Sequence, residues 1–167
     1  MDISLEKAKK NKLFYFVVTG IIFNSQTGKC LILKRSEKEN AHPGLWGVVG
    51  GKLEWEDMQN NAPTKQNHDI SDWDNLVDRL LFREAFEESG LVVSDMRYID
   101  NVVFLRPDGV PAVCIKCGVK YVSGEVDFDK NDFDDFAWVD EKEVKEYKTI
   151  EGIAEEVAKT IKIFSEG

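Results

Sequence analysis

Three glutamates crowd one short segment of this 167-residue chain: Glu84, Glu87 and Glu88. In a helix, residues spaced at i, i+3 and i+4 share one face, so these carboxylates would form a single acidic patch. Like charges at this spacing weaken a helix by about 0.2–0.5 kcal/mol per pair, which a bound cation would relieve. Carboxylate oxygens are the ligands that Mg²⁺ and Mn²⁺ prefer. The spacing therefore indicates a divalent-metal site, with a solvated acidic helix face as the plain alternative.

Two neighbouring features favour the metal site over the solvated face. Arg83 lies four residues before Glu87, within reach along one helical face. Upstream, residues 45–54 read as a strand running into a glycine-rich turn, GGKLE at 50–54. Backbone without side chains can approach a phosphate or a metal ion closely.

These two segments resemble the Nudix box, in which Gly, five residues, Glu and seven residues precede Arg-Glu-apolar-x-Glu-Glu-x-Gly-apolar. Residues 83–91 (REAFEESGL) match the second half, with the small Ala85 in the apolar position. The first half matches as GGKLE, with Asp57 where the family usually has Glu. Residues 31–54 are also similar to the strand and loop that precede the box in MutT-like members.

The box is split in this chain. Asp57 and Arg83 are separated by 25 residues instead of seven, an insertion of 18 residues, and Val49 replaces the usual proline. Because the entropy of closing a loop rises slowly with its length, we expect residues 58–74 to form an inserted surface loop while the two halves still meet. Asp57 would then contact Arg83. Asn75, which is separated from Arg83 by seven residues, is the rival for that position.

The resemblance implies a set of roles at the box. Glu87 and Glu88 would bind Mg²⁺ or Mn²⁺, Glu84 would be a further ligand or the base that activates water, and the carbonyl of Gly50 would complete the metal site. Arg83 and Asp57 would give structural support.

The resemblance also implies residues outside the helix. Members often add a distant acidic metal ligand six positions before a Trp in the last strand, and Asp132 has that position before Trp138. Its neighbours Asp134 and Asp135 are alternatives. Arg35, at the end of the strand LILKR, resembles a phosphate-contacting arginine, and Gly51 and Lys52 are the further substrate-binding candidates.

The activity implied is hydrolysis of a phosphoanhydride in a nucleoside diphosphate derivative. The similarity to MutT-like members favours a nucleoside triphosphate pyrophosphohydrolase. The alternatives are an ADP-ribose or nucleotide-sugar pyrophosphatase, or a catalytically silent domain that senses a nucleotide.

Hydrophobic periodicity predicts the elements that must position these residues. Strands are expected at 13–24, 29–35, 45–54, 96–106, 111–122 and 136–139, and helices at 72–89 and 151–164. Ser71 with Asp74 would cap the first helix, and Gly90 would end it. The order of the elements predicts an α+β fold, and the resemblance implies a Nudix-type α/β/α sandwich with a mixed central sheet in one domain over 1–167.

Composition restricts the partners. With 22 Lys and Arg against 31 Asp and Glu, the formal net charge is −9, which disfavours duplex nucleic acid and leaves a small-molecule nucleotide as the expected partner. The sequence contains no apolar run of about 20 residues, the length that a membrane-spanning helix needs, and the first twelve residues lack the apolar core of a signal peptide. We therefore expect a cytoplasmic protein.

The three cysteines fit reduced thiols better than a disulfide framework. Cys114 and Cys117 would face opposite sides of a strand, which argues against zinc binding or redox chemistry. The sequence leaves the oligomeric state open, a homodimer included.

Overall fold

The computed structural model describes residues 3–166, which form nine β-strands and three α-helices. The strands are β1 Tyr15–Asn24, β2 Lys29–Arg35, β3 Trp46–Gly47, β4 Val49–Lys52, β5 Lys65–Asn67, β6 Ile70–Asp72, β7 Val92–Leu105, β8 Pro111–Ser123 and β9 Phe133–Val139. The helices are α1 Trp55–Gln59, α2 Leu76–Ser89 and α3 Ile153–Ser165. Short 3₁₀ turns cover Lys10–Lys12 and Glu143–Glu146.

Seven strands form one mixed sheet in the order β3-β2-β1-β8-β7, with β4 also paired to β1 and β9 also paired to β2. Strands β1 and β8 run parallel, and the other pairs are antiparallel. Strands β5 and β6 form a separate two-stranded hairpin. The predicted α+β class with a mixed central sheet is confirmed.

Strand β1 lies in the middle of the sheet, and its side chains alternate between two hydrophobic cores. Val18 and Ile22 pack on one face with Leu81 of α2. Ile21 packs on the other face with Val157 of α3. The sheet is therefore a middle layer between two helices, as the predicted sandwich requires.

The start of the long helix is the main correction to the sequence-based prediction. Helix α2 begins at Leu76, not at residue 72, and the residue before it is Asn75 in a left-handed conformation. The predicted cap at Ser71 is wrong: Ser71 lies in β6, and its hydroxyl donates to the side chain of Gln66 in β5. Residues 65–72 find antiparallel partners in one another, and this pairing outcompetes extension of the helix.

The glycine-rich segment also differs from expectation. Gly50 and Gly51 lie within strand β4, opposite Thr19 and Val18 of β1, and do not form a turn. Helix α1 follows immediately and was not predicted. Strands β7 and β9 begin earlier than expected, at Val92 and Phe133.

Two predictions about the helices are confirmed. Helix α3 packs through the expected residues, listed here in chain order: Ile153, Val157, Ile161 and Phe164. Gly90 ends α2 with φ of +72°.

All three cysteines are buried with free thiols. Cys117 lies in the core beneath α2, and the Cys114 thiol contacts the Thr19 hydroxyl. Within residues 3–166, no helix is both long and apolar enough to cross a bilayer.

The turn after α2 makes a stability prediction. Gly90 and Gly28 both have left-handed backbones, so alanine at either position costs about 1–2 kcal/mol of conformational energy. A Cβ at Gly90 would also lie 2.9 Å from the carbonyl oxygen of Glu125, whereas nothing lies within 4 Å of a Cβ at Gly28. We expect Gly90→Ala to lower the free energy of unfolding clearly more than Gly28→Ala in urea titrations. Equal losses would contradict this account of the turn.

Candidate functional site

The C-terminal half of α2 lies against strand β4. The backbone N–H of Gly50 donates to the Glu88 carboxylate over 2.8 Å. In an antiparallel pair, the N–H and C=O of one residue point to the same edge of the strand. Since the Gly50 N–H points toward α2, we infer that its carbonyl also lies on this side, beside the helix carboxylates.

Gly51 allows the closest approach between the helix and the strand. A Cβ at this position would lie 2.4 Å from the carboxyl carbon of Glu84. Any side chain at residue 51 would therefore displace Glu84 from β4. This glycine is required for the space it leaves and not for an unusual backbone angle.

The insertion leaves the two halves of the box in contact. Asp57, which is only 7% exposed, accepts a hydrogen bond from Arg83 Nη1 over 2.5 Å. Its other oxygen accepts the backbone N–H of Glu54 over 2.9 Å, at the start of α1. Asp57 and Asn75 were the two candidates for the residue that contacts Arg83, and the structure places Asp57 there.

Arg83 holds the acidic face together. Its guanidinium lies 3.1 Å from Glu84 and 3.9 Å from Glu87, in addition to the Asp57 contact. The hydrogen bond to Asp57 raises the pKa of Arg83. Burial raises the pKa of Glu84, with the Arg83 charge opposing this effect and the Glu87 charge adding to it. The cation therefore offsets part of the repulsion within the patch.

Glu88 is the most strongly perturbed carboxylate of the three. Burial raises its pKa from 4.5 to about 7, and the Gly50 N–H only partly opposes this shift. The charge of Glu84 also raises the pKa of Glu88, as does the charge of Asp132, whereas Arg35 lowers it. Arg35 and Asp132 therefore lie close enough to act electrostatically on the carboxylate patch.

The position of Asp132 follows from the pairing of β2 with β9. Its backbone carbonyl accepts the N–H of Ser36 over 2.8 Å, which holds it beside the end of β2. Asp134 and Asp135 lie within β9 and are exposed. Of these three aspartates, Asp132 is the one whose charge contributes to raising the pKa of Glu88.

The substrate-binding candidates lie around the same edge. Arg35 donates to Glu39 over 2.6 Å and to the carbonyl of Ala41 over 2.8 Å, so the loop after β2 holds its guanidinium. Glu39 was not singled out from the sequence, because it lies in the loop after β2, where spacing along the chain does not predict a contact. Lys52 ends β4 with an exposed side chain and makes no ion pair within residues 3–166.

The donor set suits a hard divalent cation. The three α2 carboxylates and the Gly50 carbonyl are all oxygen donors, with no thiol or imidazole among them. The glycine at residue 51 keeps room between Glu84 and β4. In the described part of the chain, no three His, Cys, Asp or Glu side chains converge into a finished metal cluster, because Glu84 and Glu87 turn to Arg83 while Glu88 turns to Gly50.

Helix α1 also creates a cleft of about 170 Å³ beside the site. Its lining residues come from α1, from the segment that follows it and from α2: Asp57, Asn61, Leu76, Arg79, Leu80 and Arg83. The sequence did not predict this cleft, because residues 58–74 were expected to form an inserted surface loop. The acidic pair Glu54 and Asp57, three residues apart, was the signal for a helix start.

Solved structures share this fold at low sequence identity. The MutT protein from Methanosarcina mazei Go1 is 21% identical, with a TM-score of 0.61 over 95% of this chain and 97% of its own. A MutT Nudix hydrolase from Burkholderia pseudomallei is 20% identical, with a TM-score of 0.64 over 88% of this chain and 99% of its own. The Nudix domain of Shewanella oneidensis NrtR, solved in complex with ADP ribose, is 15% identical, with a TM-score of 0.66 over 95% and 92%.

These likenesses establish the fold. No family model matches the sequence, and no curated protein matches it significantly. The chain has the Nudix fold, and the resemblance seen in the split box is confirmed at that level.

The Asp57–Arg83 contact makes a pH-dependent stability prediction. Burial pushes the Asp57 pKa upward, but the Glu54 N–H and the Arg83 guanidinium outweigh it and hold the pKa below 3.8. A depressed carboxyl pKa stabilises the fold above the unfolded-state value, and this stabilisation disappears as the pH falls through the folded-state value. We expect Asp57→Asn to cost about 1–3 kcal/mol at pH 7 and progressively less below pH ~3.8 in denaturant titrations.

Asp74→Asn is the matched control, since Asp74 pairs with Lys65 on the exposed hairpin side. It should lower the free energy of unfolding at pH 7 much less than Asp57→Asn does, because an exposed ion pair contributes little to stability. A loss for Asp57→Asn that does not vary with pH would argue against the ion pair as its cause.

The raised pKa of Glu88 predicts that its contribution to folding stability has the opposite pH dependence. Its folded pKa is raised, so stability is complete below about pH 4.5 and declines as the pH rises toward about 7, where the buried carboxyl ionises. In the presence of a chelator, Glu88→Gln should gain stability relative to wild type across this interval, by at most about 3 kcal/mol. Thermal melts at pH 5 and pH 8 measure the difference. A variant that tracks the wild type at both pH values would contradict it.

Proposed function

We propose that this chain, which has the Nudix fold, is a divalent-metal-dependent hydrolase of a phosphoanhydride bond in a nucleoside diphosphate derivative. The observation that carries the proposal is the assembly of both halves of the split box. Glu88 reaches Gly50 and Asp57 reaches Arg83, although 25 residues separate Asp57 from Arg83 in the sequence.

The proposed metal ligands are Glu87 and Glu88, with Glu84 as a further ligand or the base. The Gly50 carbonyl and Asp132 complete the set. Bound Mg²⁺ or Mn²⁺ would activate water and neutralise charge on the phosphate oxygens. Burial of Glu88 disfavours its charged carboxylate and so raises its pKa. A bound cation would offset this effect, because a nearby positive charge favours the charged carboxylate.

The chain's own cations have separate tasks in this proposal. Arg83 orients Glu84 and Glu87 through its contacts, and Asp57 holds Arg83 in place. Arg35 would bind a phosphate oxygen, after exchanging its contact with Glu39 for the substrate. Gly51 and Lys52 would line the substrate path at the end of β4.

A nucleoside triphosphate is the proposed substrate, supported by the similarity of residues 31–54 to MutT-like proteins and by two solved MutT structures with this fold. ADP-ribose or a nucleotide sugar is the alternative, supported by the ADP ribose complex of the Shewanella oneidensis domain. A metal-bound nucleotide is less anionic than the free one. A protein with a formal net charge of −9 therefore favours the metal complex as its partner over duplex nucleic acid.

A catalytically silent nucleotide-sensing domain is the second candidate function. The split box favours it, since the insertion lies next to the Asp57–Arg83 contact. The intact carboxylates at 84, 87 and 88 favour the enzyme. We also propose a cytoplasmic location, which the three buried, unpaired thiols support.

Turnover of a substrate panel tests the proposal. Purified protein should release phosphate, in assays coupled to pyrophosphatase or phosphatase, from nucleoside triphosphates, ADP-ribose or nucleotide sugars only when Mg²⁺ is present. Glu87→Gln and Glu88→Gln should each lower kcat by about 10²–10⁴-fold, since they remove the proposed metal ligands. Glu155→Gln, an exposed glutamate on α3, is the control and should retain full activity.

Thermal stabilisation gives a second readout. Mg²⁺ should raise the wild-type Tm and should raise it less in Glu88→Gln, because binding to the native state shifts the unfolding equilibrium. Stabilisation by Mg²⁺ and a nucleotide without turnover across the panel would favour the sensing domain. Neither stabilisation nor turnover, in protein shown to be folded, would reject both functions.

A further inference from the structure

Strand β7 leaves one edge of the central sheet open. It is 14 residues long and pairs only with β8 among the residues that the structure describes. Its last five residues, 101–105 (NVVFL), are all exposed and carry no charge and no proline. Proteins usually protect such an edge with charged residues, proline or a covering segment, because its free N–H and C=O groups are a template for another strand.

The pairing with β8 determines which backbone groups are free. Arg106 N–H donates to the carbonyl of Val110 over 3.1 Å, so this pair is hydrogen-bonded. The register is unbroken from Leu105 back to Asp100, and hydrogen-bonded pairs alternate with non-bonded ones. The residues whose N–H and C=O point away from β8 are therefore Asn101, Val103 and Leu105. Two details agree: Leu105 faces Pro111, which has no N–H, and the Asn101 N–H is taken by the Asp100 side chain.

We propose that this edge pairs with the same edge of a second copy of the chain, antiparallel and centred on Val103. A two-fold axis at Val103 places it opposite the partner's Val103, and Asn101 opposite the partner's Leu105. All three outward-facing residues then stand in hydrogen-bonded pairs, and the two sheets become one. The Asn101 N–H exchanges its bond to the Asp100 side chain for the carbonyl of the partner's Leu105. A centre at Val102 or Phe104 would also align outward-facing residues with one another, so the backbone allows those registers and the flanking charges select this one.

The charges flanking the apolar stretch fit the same register. Asp100 comes opposite the partner's Arg106, and Arg106 opposite the partner's Asp100, each in a non-bonded pair where side chains are closest. Within one copy, Asp100 contacts Lys159 and Arg106 contacts Asp108, so both charges are already held at the strand edge. Opposite charges thus meet at both ends of the interface, although each copy carries a formal net charge of −9.

The side chains between these charges are apolar on both faces. Val103 is 61% exposed and Leu105 is 72% exposed on the α2 face, while Val102 and Phe104 are 38% and 41% exposed on the α3 face. Pairing covers both sets at once, because opposite residues in a strand pair point to the same face. The proposal is independent of the catalytic chemistry, since none of these residues belongs to the carboxylate site.

Solution mass and one edge substitution test the interface. Light scattering after size exclusion should give twice the 19.0 kDa chain mass for the wild type. Val103→Lys, which brings two lysines together on the axis, should reduce the mass to that of one chain. Val122→Lys is the control, because Val122 is 55% exposed and lies on β8, away from the edge. A monomeric wild type, or a dimer unaffected by Val103→Lys, would overturn the proposal.

Cross-linking tests the register itself. Hydrogen-bonded partners in antiparallel strands have Cα atoms about 5.5 Å apart, which a disulfide can bridge. Val103→Cys should therefore form a covalent dimer under mild oxidation, whereas Leu105→Cys should not, because two copies of residue 105 would be about 14 Å apart. Equal cross-linking of both variants would reject the register.

The charge pair has its own test. Asp100→Arg should shift the dimer toward monomer, and the double variant Asp100→Arg with Arg106→Asp should restore it. If the double variant stays as weak as the single one, the two charges do not face each other across the interface. A near-UV spectrum matching the wild type shows in each case that the fold is intact.

Discussion

The approach of helix α2 to strand β4 is the contact on which the site depends. A helix carrying three acidic residues on one face is costly to place against a sheet, because burial disfavours charged carboxylates. Two features of this chain make the approach possible. Gly51 provides the space that Glu84 occupies, and Gly50 provides a backbone N–H for Glu88. Without either, the carboxylates would turn toward solvent and away from the strand.

Arg83 connects this contact to the rest of the molecule. It balances Glu84 and Glu87 and is itself held by Asp57 at the start of α1. The insertion begins directly after this anchor, and its hairpin satisfies its own hydrogen bonds through β5 and β6. A segment that folds on itself at the surface imposes little strain on its ends, which explains how the box accommodates it.

The two faces of the sheet pack against different helices and differ in the charged groups that they bury. The α2 face combines the larger core with the carboxylate patch, whereas the α3 face buries an ion pair between Lys116 and Glu156. Glu156 is 5% exposed, and burial raises its pKa while Lys116 opposes the shift. Breaking such a pair leaves an uncompensated buried charge, so this contact constrains how α3 lies on the sheet. Strand β7 completes the sheet at its far side and leaves an apolar edge.

The sequence by itself determined the elements with strong periodicity and the residues with fixed local spacing. The strands from 15 to 35, the α3 face and the Gly90 stop follow from side-chain patterns that need no distant partner. The glutamate patch follows from helical spacing alone. Tertiary structure decided what depends on partners far along the chain. Gly50 and Gly51 became a strand because β1 pairs with them, and the inserted segment became a hairpin because its two halves pair with each other. The choice of Asp57 over Asn75 rested on which side chain the fold brings to Arg83, a distance that local sequence does not encode.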